Sequence, residues 1–87
     1  MTPLERKFIL RRAALRSLDD CGSFPCPESA LRDSIGIKAD HLAPTVAEVD
    51  AVLRGIQNDN LATALPTERG NKWALTDGGR LWLAQNP

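Results

Sequence analysis

Cysteine is scarce in this chain of 87 residues: Cys21 and Cys26 are the only two, with four residues between them in CGSFPC. With no second cysteine pair and no histidine close by, a four-ligand zinc site is not expected, and two free thiols are. Long hydrophobic runs are also missing. Near the amino end the longest is Phe8-Ile9-Leu10, closed at once by Arg11 and Arg12, which is too short for a signal peptide or a membrane span. A cytoplasmic protein is therefore the expectation, with no membrane partner. The pieces of common catalytic machinery are absent as well. There is no Ser-His-Asp context, no glycine-rich loop ending in Gly-Lys-Ser/Thr, and no carboxylate pair beyond the adjacent Asp19 and Asp20. The one histidine, His41, lies between two helical segments, where a cap or surface role is expected. No enzyme activity, cofactor or metal is implied. Repeats and low-complexity segments are lacking too.

What is present is an ordinary globular mixture, 43% hydrophobic and 25% charged, in a chain long enough for one core and too short for two. Net charge is zero, yet its distribution is uneven. Residues 1–18 hold Arg6, Lys7, Arg11, Arg12 and Arg16 against Glu5, a balance of +4. Residues 19–60 hold three cations against eight acids, a balance of −5, and the remainder carries +1 through Arg69, Lys72 and Arg80 against Glu68 and Asp77.

A stretch free of proline and glycine from Leu4 to Leu18 predicts a first helix over about 3–19. Its apolar residues occupy two sides: Leu4, Phe8, Leu15 and Leu18 on one, Ile9, Leu10 and Ala13 elsewhere. Cys21 to Pro27 reads as a loop, with Pro27 at the first position of a second helix over about 27–35 and Gly36 as its stop. Thr45-Val46-Ala47-Glu48 matches a capping box and opens a third helix over about 45–59, with Val46, Val49, Val52, Leu53 and Ile56 toward the core. Ala47, Ala51, Arg54 and Asn58 fall on the opposite face. The period then changes to two. Leu61 to Leu65 and Lys72 to Leu75 read as a hairpin over about 61–75 with a six-residue tip, and Thr76 caps a last helix over about 77–85. Gly78 and Gly79 in the run Thr-Asp-Gly-Gly-Arg, with no lysine to hold a phosphate, are read as the joint between strand and helix.

Three helices, a hairpin and a short helix follow the order of a winged helix-turn-helix domain. The chain resembles the small bacterial or phage transcriptional-regulator type of that family in Trp73-Ala74-Leu75-Thr76-Asp77-Gly78-Gly79-Arg80, followed by the apolar Leu81-Trp82-Leu83. The resemblance extends to Ile9-Leu10 and Leu15, to Leu31 and Ile35, and to Val49, Leu53, Asn60 and Leu61. It implies a fold that is mainly α with a small antiparallel β-hairpin, in which the third helix enters the major groove of double-stranded DNA.

The residue chemistry supplies candidates for that role. Arg54 can address guanine, Asn58 adenine, and Ala47 and Ala51 let the helix approach and touch a thymine methyl. Arg69 and Lys72, at and just after the hairpin tip, can reach phosphates or the minor groove. Trp73 and Trp82 are expected in the core. A second use of the same fold stays open. Glu48, Asp50 and Asp59 make the third helix acidic, which works against phosphate and suits a basic protein partner, as in an adaptor, subunit or antagonist. Because the chain ends at Pro87, it lacks the long carboxy-terminal helix on which many such regulators dimerise, so a homodimer is expected to use the first helix.

Overall fold

The computed structural model describes residues 1–87 as four helices and a three-stranded antiparallel sheet. Helix α1 spans Pro3–Asp20 and is opened by a capping box: Thr2 accepts from the Glu5 amide, and the Glu5 carboxylate reaches back to the Thr2 amide. It is the central strut. Leu10, Ala13, Ala14, Leu15 and Leu18 are buried against α2 (Glu28–Lys38) and α3 (Val46–Asn58). Ser17, buried among them, satisfies its hydroxyl on the Ala13 carbonyl at 2.8 Å and on Ser34 of α2 at 2.7 Å.

Four expectations are corrected here. The loop before α2 contains a strand, β1 (Cys26–Pro27), which pairs with β3 (Gly70–Leu75), so the hairpin of β2 (Ala62–Thr67) and β3 becomes a sheet in the order β1-β3-β2. Pro27 is thus the last strand residue rather than the first helical one. Helix α2 runs past Gly36 to Lys38, because Ile35 and Ala39 are both fully buried and their packing outweighs the cost of one helical glycine. The hairpin tip is also shorter than predicted. Pairing continues through Pro66↔Asn71 to Thr67↔Gly70, leaving Glu68 and Arg69 as the turn, with Gly70 at φ 102° where a side chain would be strained.

Helix α3 buries Val49, Val52, Leu53 and Ile56, as its period predicts, but Val46 is 73% exposed. It occupies the first helical position, ahead of the turn that meets the core. Between α2 and α3, a single 3₁₀ turn at Asp40–Leu42 buries Leu42 and ends at Ala43 with φ 46°. The predicted joint before α4 (Asp77–Gln85) is present: the Thr76 hydroxyl accepts from the Gly79 amide at 3.0 Å and donates to the Asn60 carbonyl at 2.6 Å. No helix is long and apolar enough to cross a membrane.

Candidate nucleic-acid interface

The face of α3 that turns away from the core carries Ala47, Ala51, Arg54 and Asn58, all exposed. Their spacing of four, three and four residues keeps them in one stripe along the helix. No other side chain pairs with Arg54, the single cation of α3.

The three acids of this region are in a different state. Arg6 of α1 grips Glu48 with both nitrogens of its fork, at 2.9 and 3.0 Å, and donates also to the Leu42 carbonyl. Asp50 receives Arg32 of α2 at 2.6 Å. Asp59 receives Arg11 of α1 at 2.7 Å, the guanidinium passing over Gly55, where a Cβ would lie 3.1 Å from it. Two of these pairs fold the basic first segment onto the acidic middle segment and the third lies within the middle segment, so Glu48, Asp50 and Asp59 each meet an arginine inside the domain.

The Arg6 hydrogen bond, and then the Thr45 amide, hold the Glu48 carboxyl down to about 2 from 4.5. A carboxyl depressed in the folded state stabilises fully above its unfolded value and loses that contribution as pH falls. Thermal unfolding should show it. Wild type should exceed Glu48→Gln in melting temperature at pH 7, with the gap closing between about pH 4.5 and about pH 2. A gap that stays constant over this range would show that the charge of Glu48 is not what stabilises the contact.

Arg69 and Lys72 lie apart from the α3 stripe. A hollow of about 600 Å³ between the hairpin tip and the start of α2 is lined by Pro27, Glu28, Ser29, Arg32, Thr67, Arg69, Gly70, Asn71 and Lys72, mostly polar or charged side chains. The predicted residues therefore form two groups, Ala47, Ala51, Arg54 and Asn58 on α3 and Arg69 with Lys72 at the tip. Arg32 joins them, since it lines the hollow and also pairs with Asp50. Sequence reasoning passed over Arg32, Ser29 and Asn71. The one local signal was Glu28 four residues before Arg32, a helical ion pair now seen at 3.4 Å.

Trp73 is not free to stack on a base: it is 4% exposed and its indole N–H donates to Glu28 at 3.0 Å. Trp82, expected in the core, is only half-buried, its ring tilted against that of Phe8 at 5.4 Å, centroid to centroid. Both thiols are free. Burial, then the nearby Cys21, pushes the Cys26 thiol up to about 11, which disfavours the reactive thiolate. No protein-family model matches this chain, and no curated protein does.

Proposed function

We propose that this chain is a winged helix-turn-helix domain that binds double-stranded DNA, with α3 in the major groove and the β2–β3 hairpin as the wing on the backbone. One observation carries the reading: every acid of α3 and its cap is tied to an arginine of α1 or α2, while Arg54 and Asn58 are left unpaired on the outward stripe. A helix presenting two alanines, one guanidinium and one carboxamide suits base edges. The hollow beside the tip offers Arg69 and Lys72 to phosphate, with hydroxyl and amide donors from Ser29 and Asn71, while its one acid, Glu28, is paired with Arg32. The order of the helices and the hairpin is compatible with this fold.

Titration of isotope-labelled protein with DNA duplexes at low and high salt tests the proposal. Resonances of α3, Arg69 and Lys72 should shift at low salt and recover as salt rises. On a duplex selected for tight binding, Arg54→Ala should cost about 1–3 kcal/mol and relax base preference, whereas Lys72→Ala should weaken all sequences alike and lower the salt slope by about one. No shift at any salt would sink the proposal. The other use of α3, as an acidic surface for a basic protein partner, has less support because its acids are already paired. Loss of such a partner on reversing Asp50 and Asp59, without any response to DNA, would put that reading in its place.

A further inference from the structure

The outward stripe of α3 has two flanks, and the fold fills them differently. At 100° per residue, Glu48, Gly55 and Asp59 lie roughly a quarter-turn to one side of the stripe, and Asp50 lies to the other side. Arg32 of α2 covers the Asp50 flank and also lines the tip hollow that holds Arg69 and Lys72. The opposite flank belongs to α1. Arg6 reaches Glu48 there, and Arg11 passes over Gly55 to Asp59.

A third cation of α1 stands between these two. With Pro3, Leu10, Glu48, Ala51 and Val52, Lys7 lines a hollow of about 260 Å³ between α1 and α3. Ala51 belongs to the stripe, so this hollow borders the surface proposed to read bases. Its one acid, Glu48, is answered by Arg6 and by the Thr45 amide. Lys7 is exposed and makes no ion pair, whereas Arg6 and Arg11 are each held by a carboxylate. A helix with its side chains is about 10–12 Å across and the major groove about 12 Å wide, so a helix seated there has a sugar-phosphate backbone along each flank. The tip serves one of those backbones. On the other flank, Lys7 is the cation left free.

We infer that Lys7 is a phosphate contact, holding the DNA backbone on the α1 side of α3 while Arg69 and Lys72 hold the backbone across the groove. This contact rests on the DNA reading and adds to it a residue of α1. It is made to phosphate alone, so it positions α3 and carries no base preference.

Affinity for a duplex selected for tight binding, measured with the full chain across a salt series, tests the contact. Lys7→Ala should lower the salt slope by about one for every sequence, and Lys7→Ala with Lys72→Ala by about two. Lys7→Arg should keep the wild-type slope. Arg16→Ala controls for net charge: Arg16 is exposed on the opposite side of α1, so its loss should leave the slope unchanged. Because Lys7 is exposed and unpaired, the melting temperature of free Lys7→Ala should match wild type. Replacing single phosphates of the duplex by neutral methylphosphonates then locates the contact. The position whose replacement weakens wild type but not Lys7→Ala should lie across the major groove from the position found in the same way with Lys72→Ala. A wild-type slope for Lys7→Ala overturns the inference and leaves the DNA proposal standing, as does a Lys7 position on the same side of the groove as that of Lys72. Absence of binding by wild type at any salt removes both.

Discussion

Replacing Gly79 by alanine is expected to lower the stability of this domain by about 2–4 kcal/mol, a large part of the roughly 4–13 kcal/mol available to a chain of this size. The glycine is buried at the first turn of α4, where the helix passes directly over the backbone that joins α3 to β2. A Cβ there would overlap the Leu61 carbonyl oxygen and lie 2.6 Å from Leu75 Cδ1. The oxygen cannot withdraw freely, because it accepts the Thr76 amide at 3.2 Å, and Thr76 is fixed to Asn60 by its own hydroxyl. Alanine's better helix propensity, worth about 1 kcal/mol, recovers only part of the loss. Thermal unfolding followed by circular dichroism should show a midpoint lower by roughly 8–30 °C. Two other glycines serve as controls. Nothing lies within 4 Å of a Cβ at Gly36, inside α2, so Gly36→Ala should raise stability by about 0.5–1 kcal/mol. Gly78, where a Cβ would sit 3.2 Å from the Asn60 oxygen, should fall between them. An unchanged midpoint for Gly79→Ala would mean that α4 does not dock in this way.

The Gly79 contact is legible in part in the sequence. A strand, a capping threonine and two glycines imply a close joint, though not which carbonyl presses on it. Helix α3 was legible almost residue by residue, since the capping box and the period fix both its start and its buried face. Val46 departs from that pattern only because period says nothing about where along a helix the core begins. Strand β1 could not have been read. Two residues carry no period, and the partners of Cys26 and Pro27 are Trp73 and Lys72, far along the chain. The candidate interface divides in the same manner. The stripe of Ala47, Ala51, Arg54 and Asn58 follows from spacing within one helix. The neutralisation of Glu48 by Arg6, 42 residues away, does not: composition gave the sign of each segment, and only the fold gave the partners. An acidic α3 in the sequence is a paired α3 in the structure.

The second large effect is expected at Trp73, the residue on which the sheet and α2 converge. It lies in β3, the middle strand, opposite Cys26 on one side and Ala64 on the other, and these small neighbours leave room for the indole. Its N–H donates to Glu28, whose other oxygen receives Arg32, which in turn holds Asp50 of α3. Trp73→Ala removes a large buried ring and the donor together, and should cost about 3–5 kcal/mol. Trp73→Phe keeps most of the apolar contact and loses the hydrogen bond to a charged group, for about 1.5–3 kcal/mol. Denaturant midpoints at constant m-value separate the two effects. Glu28→Gln keeps an acceptor for the indole while discarding the charge that faces Arg32, so it should cost less than Trp73→Phe. If Trp73→Phe matched wild type, the indole–Glu28 bond would contribute nothing to stability. If Trp73→Ala cost no more than Trp73→Phe, the ring would not be the packing anchor of the sheet. With both losses as expected, the base of the hairpin is held to α2 through volume and through one polar contact, and the polar contact continues through Arg32 to the helix that carries Arg54 and Asn58.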